Sequence, residues 1–457
     1  MQILIVIATP VTGTAAHQAG TQVSFWVIGA VCLFLPVAAV VQYCVRIWPY
    51  EGGVYQWTKH AFGPFAGFLT AWNLGAWVLL LVASIGVQTA SGISYALGPR
   101  AAWMADSHVV ISSLNIVLFA GIFVVCAPGL SIGRWVSHVG TAATLLVAGL
   151  LIVLLIVHPH AHAKHPFVAP QAPFSMNLPI LTLASINLFS KIAFNGFTAL
   201  EQVAVFAGET RNAARSILRS AWIAAPIIAV LYILMTGSIL TYVRADQVDL
   251  VNPISQVIAA AFGSDAASTG LDWGIMLSRS AILGLTLASI AQAAVYIAET
   301  SRLPMVAAWD HLIPAWFTHL HPRYGTPTRS LAVIALTAVV FSFLASAGTG
   351  ASEAYQLLAT SAFICYGVNY LLMFAVPLLV GTRFSLRPDL KPSLFLRAAC
   401  AGGAAVTLLS MIFNLVPIVD VAQPWAFALK VGGAALGINL FAIVVYRRGS
   451  RRHRLAT

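Results

Sequence analysis

Residues 181–219 read LTLASINLFSKIAFNGFTALEQVAVFAGETRNAARSILR, and this stretch decides how the rest of the chain folds. Its first part is apolar enough to enter a bilayer. Lys191 and Glu201 then flank an interruption, Phe194-Asn195-Gly196-Phe197-Thr198-Ala199, at what should be mid-membrane depth. An ionised side chain there costs about 2.5–3.5 kcal/mol on insertion scales, so such charges face a cavity or a partner. Glycine and asparagine loosen a helix, and unwound backbone survives inside a membrane only where it lines a cavity. A broken span carrying charge therefore marks a binding site in the interior of a helical bundle.

The rest of the chain supplies that bundle. Of 457 residues, 60% are hydrophobic and 8% are charged, against roughly 25% charged in a soluble domain. Such a composition excludes a large soluble core and requires many membrane spans. Apolar windows of about 20 residues fall at 24–45, 64–97, 109–130, 136–157, 222–242, 275–298, 331–346, 355–380, 395–419 and 424–446. With the broken segment and a partial span at 1–16, the fold class is all-α integral membrane with about twelve transmembrane segments. The opening has no basic leader and no clear cleavage site, so a signal peptide is the weaker reading. Cys32, Cys44, Cys126, Cys365 and Cys400 lie in or beside apolar segments without metal-ligand spacing and read as small core residues.

Basic residues set the orientation. Arg46, Lys59, Arg134, Arg219, Arg302, Arg323, Arg329, Arg383 and Arg397 fall in loops on the side of the carboxyl terminus; the opposite side holds Arg100, Lys164 and Arg244. Both termini are therefore expected in the cytoplasm of a cell bearing this protein in its cytoplasmic membrane. The net charge of +11 follows from this topology. The tail Arg447-Arg448-Gly449-Ser450-Arg451-Arg452-His453-Arg454 suits anionic headgroups, not nucleic acid.

Three segments on the basic side carry a resemblance. Pro49-Tyr50-Glu51-Gly52-Gly53-Val54-Tyr55, followed by Ala61-Phe62-Gly63-Pro64 and Gly67-Phe68, resembles the P-x-x-G-G-x-Y…A-F-G-P-x-x-G-F signature of the amino acid–polyamine–organocation permeases. Phe197-Thr198-Ala199-Leu200-Glu201 with Gly208-Glu209-Thr210-Arg211-Asn212 is similar to their F-x-G-x-E…K-N-P element. Ser301-Arg302-Leu303-Pro304 through Asp310-His311-Leu312-Ile313-Pro314 to His321-Pro322-Arg323-Tyr324-Gly325-Thr326-Pro327 is similar to their S-R…R-D-G-x-L-P…H-P-x-x-G-T-P loop. All three stand in family order.

The resemblance implies a LeuT-type fold in one transmembrane domain. Two inverted five-helix repeats, roughly 1–158 and 180–380, precede additional helices at 395–446 and a basic tail at 447–457. In that fold the first and sixth spans unwind at the midplane and hold the substrate. The implied substrate-binding residues are Thr9, Pro10, Val11, Thr12 and Gly13 in the first span and Phe194, Asn195, Gly196, Phe197, Thr198 and Ala199 in the sixth. Lys191 and Glu201 are the coupling and charge candidates. Lys191 is expected to end the outer half-helix and Glu201 to start the inner one, where helix dipoles favour each charge.

The chain departs from the family pattern at several points. The first span lacks the usual glycine-rich break, its nearest equivalent being Ala8-Thr9-Pro10-Val11-Thr12-Gly13, and this leads to the expectation of an upstream half-helix beyond Met1. Ala199 replaces a glycine, which should stiffen the break unless Gly196 takes that role. Ala213 stands where a proline is expected, and the fifth span near Ala143-Thr144 lacks the lysine that some members use in place of sodium.

Several residues admit two roles. Glu201 either bonds backbone freed by the break or couples protons; Lys191 either lines an outer vestibule or binds substrate. Arg279 and Lys430 should snorkel. Glu299 should pair with Arg302 on a helix surface. The histidines at 158–165 form a polar linker or a metal loop, with no carboxylate or cysteine nearby to complete a site. Asn73, Gln88 and Asn369 are interhelical hydrogen-bonding residues or pocket residues. The leading function is secondary active transport of amino acids by alternating access, coupled to Na+ or H+ or exchanging, without a cofactor. Transport of polyamines or other organic amines, and a non-transporting sensor or partner subunit, are the competing readings. A membrane enzyme would need carboxylates or histidines clustered at one depth, which the sequence does not offer. The expected partners are an amino acid and the lipid bilayer; oligomeric state is left open.

Overall fold

The computed structural model describes residues 9–17, 19–48, 53–127, 142–143, 145–156, 174–198, 200–201, 213–262, 273–301, 312, 314–346, 351–383, 390–418 and 423–456. Among the described residues there is no strand. The helices begin with α1 (Thr9–Ala16), α2 (Ala19–Ile47), α3 (Val54–Phe62), α4 (Pro64–Leu97), α5 (His108–Cys126), α6 (Leu145–Ile156) and α7 (Leu183–Phe197). They continue with α8 (Ala213–Tyr242), α9 (Pro253–Phe262), α10 (Trp273–Thr300), α11 (Thr328–Ser346), α12 (Ala351–Arg383), α13 (Leu394–Phe413) and α14 (Pro424–Ala456). Among the described residues nine are long and apolar enough to cross a membrane: α2, α4, α5, α8 and α10 to α14. The shorter α1, α6 and α7 occupy the expected first, fifth and broken sixth spans.

Local chemistry accounts for the ends. Gly63 joins α3 to α4 at φ 99°, a left-handed conformation that disfavours a Cβ, and Pro64 follows at the first helical position, where its missing N–H costs nothing. The A-F-G-P motif is thus a corner between a short, largely buried helix and a span. Thr182 and Ser185 cap α7 reciprocally, with backbone-to-hydroxyl distances of 3.1 and 2.9 Å. Ser84 interrupts α4, its hydroxyl donating back to the Leu81 carbonyl at 2.6 Å. In α2 one π-type turn, Ala30–Phe34, precedes Pro36, so the wider turn accommodates the ring.

Two boundaries differ from expectation. The span expected at 395–419 ends at Phe413, because Asn414 caps the helix and Pro417 follows closely. The tail expected to follow residue 446 instead continues α14 to Ala456. Its arginines are good helix formers and lie at the end where the dipole favours cations. Gly449 meets the Leu312 backbone so closely that a Cβ would clash with it.

Burial separates the centre from the lipid face. In α4, 67% of the apolar window is buried, whereas α5 and α14 bury 22% and 17%, so the latter form the periphery. The centre is α12 packed along α4; α13, with 22% of its window buried, lies against α12 and α7 from the periphery, and α7 also packs on α2. Small polar groups join these helices: Thr58 to Thr70 at 2.9 Å, Trp26 Nε1 to Thr236 Oγ1 at 3.2 Å, and Asn73 Nδ2 to Asn439 Oδ1 at 2.8 Å. Asn369 meets the Thr70 carbonyl at 3.0 Å and the Leu74 amide at 3.1 Å, so it also ties helix to helix.

Candidate functional site

Helix α7 is continuous through Phe197 and then stops. Thr198 is extended, with φ −92° and ψ 178°, and Leu200–Glu201 form part of a tight turn. The break thus falls in the later part of the expected interruption Phe194–Ala199. Gly196 stays helical because it is a contact point: a Cβ there would lie 2.7 Å from the Trp26 ring. Phe197 crosses Trp26 and Tyr232 edge-on at 5.8 and 6.0 Å, which pins the last turn of α7 against α2 and α8. Ala199 lies outside the described residues, as do the upstream residues 1–8, the 208–212 element, the 158–165 histidine loop and residues 302–311. The expected Glu299–Arg302 pair falls there as well.

The break frees helix-end carbonyls beside a cavity of about 130 Å³. This space is small against the roughly 300–1,000 Å³ of drug-sized sites and suits a compact solute. Its walls come from α1 (Val11, Thr14), α4 (Trp77, Gln88), α7 (Lys191, Asn195) with Thr198 after it, α10 (Gln292, Tyr296) and α12 (Gln356, Phe363). Asn195 Oδ1 and Asn414 Oδ1 are buried lining acceptors with no hydrogen-bond partner among the described residues. Lys191 is the one charged lining side chain among the described residues. It is 1% exposed and donates to the Val416 carbonyl. Being more than a turn before the end of α7, it does not occupy the dipole position expected of it, since that effect fades within the last turn.

Glu201 occupies a different environment. It is 4% exposed, and its two carboxylate oxygens accept from the Tyr366 and Tyr370 hydroxyls, one turn apart on α12. Trp77 stacks on Tyr366 at 4.1 Å, and Phe194 meets both tyrosines edge-on at 6.1 and 5.3 Å. Glu201 is thus walled by rings and fastened to α12.

The first-span candidates are arranged less as expected. Thr9, Pro10, Val11, Thr12 and Gly13 lie in one unbroken helix among the described residues. Val11 lines the cavity, Thr12 is buried, and Gly13 abuts Pro253 of α9. Sequence reasoning missed Tyr366, Tyr370, Trp77, Gln292 and Gln356. The spacing of the two tyrosines, four apart within a span, places both phenols on one helix face and could have found them. Among the described residues no cluster of histidine, cysteine or acid could hold a metal. Lys430, expected to snorkel, reaches Glu353 at 3.5 Å, while Arg279 is exposed.

Comparison with known proteins places the chain in a family. The amino acid permease family matches residues 1–438. An uncharacterized transporter of Legionella pneumophila is 25% identical over 77% of this chain and 73% of its own length. Cationic amino acid transporter 5 of Arabidopsis thaliana is 24% identical over 73% of this chain, which spans 56% of that relative. A branched-chain amino acid permease of Bacillus subtilis is 24% identical over 69% of this chain and 66% of the permease. The chain belongs to the amino acid permease family, within the amino acid–polyamine–organocation superfamily: a multi-pass membrane transporter of LeuT-type fold, not an enzyme.

Proposed function

We propose that this chain carries neutral or acidic amino acids by alternating access around the cavity between α1, α4, α7, α10 and α12. The observation that carries this reading is the termination of α7 at Thr198 beside a small cavity whose charged lining group among the described residues is Lys191. Freed backbone and Asn195 offer partners to a zwitterion, and a buried ammonium favours a carboxylate while repelling a second cation. The same charge argues against polyamines and cationic amino acids, whatever the relatives carry. Within this reading the inverted repeats span roughly 1–158 and 180–380, and both termini face the cytoplasm.

Glu201 is the coupling group in this proposal. As a carboxylate it accepts from both phenols; protonated, it donates through one oxygen, and both contacts lose their charge-assisted strength. Proton binding would thereby loosen the joint between the break and α12.

Uptake into proteoliposomes over acidic, neutral and cationic amino acids and a diamine, each with a sodium or a pH gradient, tests the reading. Uptake of neutral or acidic amino acids driven by the pH gradient is expected; uptake confined to cationic substrates would overturn the substrate class, and strict sodium dependence the coupling. Orientation is checked separately: Ala161→Cys should react with an impermeant thiol reagent from outside cells, and Ser450→Cys should not.

A further inference from the structure

One wall of the cavity comes from beyond α13. That helix ends at Phe413, and the chain then tightens into a turn: the Leu415 amide donates to the Ile412 carbonyl at 3.1 Å and the Val416 amide to the Phe413 carbonyl at 3.0 Å. Asn414 and Ile418 line the cavity. Three helices hold this segment in place. The Ile418 amide donates to Gln356 Oε1 of α12 at 3.4 Å, Leu415 packs with Leu357 of α12 and with Phe427 and Val431 of α14, and the Val416 carbonyl accepts from Lys191 of α7.

Asn414 is fully buried. Its Nδ2 donates to Ser410 Oγ at 3.3 Å, but its Oδ1 meets no donor among the described residues. A buried amide oxygen left without a donor is costly, and in a native fold it calls for a bound group that supplies the missing hydrogen. Asn195 Oδ1 is a second such acceptor on the same cavity. An amide oxygen only accepts, whereas an ammonium only donates and has three hydrogens to give. Lys191 and Asn195 stand four apart on α7, so a cation and an acceptor share one helix face with their Cβ atoms about 5–6 Å apart. This spacing suits the two ends of an α-amino acid head group. Asn414 adds another acceptor from a different element, two residues before the carbonyl that Lys191 holds.

We infer that Asn414 is a specificity-determining residue of the transport site: with Asn195 it receives the primary ammonium of the substrate, while Lys191 takes the carboxylate. The inference rests on the cavity being the transport site. A carboxylate is a stronger acceptor than the Val416 carbonyl, so an arriving substrate takes Lys191 over from it.

Calorimetric titration of the full chain in detergent with L-alanine and L-glutamate, each against its 2-hydroxy counterpart, L-lactate and L-2-hydroxyglutarate, provides the test. Wild type should bind an amino acid at least about tenfold more tightly than its hydroxy acid, the size of a hydrogen bond to a charged group. Asn414→Leu should weaken the amino acids and leave the hydroxy acids nearly unchanged, so that the ratio falls toward one. Asn414→Ala, which adds no bulk, reads the same ratio if the leucine variant folds poorly. Lys191→Met should weaken both members of a pair alike and leave the ratio standing. A wild-type ratio near one, a ratio unmoved by the changes at Asn414, or one that collapses in Lys191→Met would overturn the inference while leaving the transport reading intact. Failure of wild type to bind either amino acid would overturn both.

Discussion

Lys191 and Glu201 lie on either side of one helix break, and both are almost completely buried, yet the fold treats them differently. Lys191 lines the cavity, bonded to the Val416 carbonyl and to no carboxylate among the described residues. Glu201 is walled in by Phe194 and Trp77-backed Tyr366, with each oxygen matched to a phenol. A buried charge without a counter-charge destabilises the fold and gains from an arriving anion; a buried charge that is fully hydrogen-bonded stabilises the geometry around it. In the proposed reading the contrast separates substrate recognition at Lys191 from the joint to α12 at Glu201.

The largest expected effect breaks this contrast on the Glu201 side. Glu201→Ala leaves two buried hydroxyls without their acceptor, at about 1–3 kcal/mol each. Uptake should vanish and the melting temperature in detergent should fall clearly. Glu201→Gln is the sharper form: it keeps the shape, so binding should persist while the pH dependence of uptake disappears. Retention of the wild-type pH profile, together with weakened binding, would make Glu201 a structural lock only.

On the other side, Lys191→Met should act in reverse. Acidic-substrate uptake should drop at least about tenfold, the size of a lost charge-assisted contact of roughly 1.5–3 kcal/mol. Thermal stability should hold or rise, because a desolvated cation has been removed. A fall in stability comparable with that of Glu201→Ala would show that the two charges are equivalent after all.

A smaller effect probes the seat shared by both charges. Gly196→Ala brings a methyl within 2.7 Å of the Trp26 ring, an overpacking typically worth about 1–3 kcal/mol. Melting should shift downward and both variants above should become harder to isolate. The smallest effect lies outside the spans. Burial holds the His17 imidazole below its ordinary value of 6.5, opposed by the Asp246 carboxylate. The folded state then prefers neutral histidine, so stability is full above about pH 6.5 and declines as pH falls below it. His17→Gln should flatten that acid limb in a melting series, without altering the response that depends on Glu201.

Much of the bundle is legible in single residues. Apolar windows locate the spans, and Gly63-Pro64 reads as a corner because few other pairs make one so easily. The position of the break is less legible. Asn195 and Gly196 have weak helix propensity, but Gly196 is held in the helix by its contact with Trp26, so tertiary packing overrides local preference. The helical tail of α14 is a related case: charge alone suggests a solvated arm, and only the close meeting with Leu312 reveals a docked one. The partners of Glu201 are hidden for another reason. Tyr366 is 165 positions away in the chain, and nothing near Glu201 announces which span will face it.

Trp77 belongs to α4, Tyr366 and Tyr370 to α12 and Glu201 to the segment beyond α7, so three parts of the chain meet through one ring stack and a pair of hydroxyls. These two joints differ in what can replace them. Water can stand in for a phenol on a carboxylate, but it cannot stand in for one aromatic face against another. A fracture through this assembly therefore runs between oxygen atoms and leaves α4 and α12 clamped as a single block, with the piece after Thr198 on the far side of the fault.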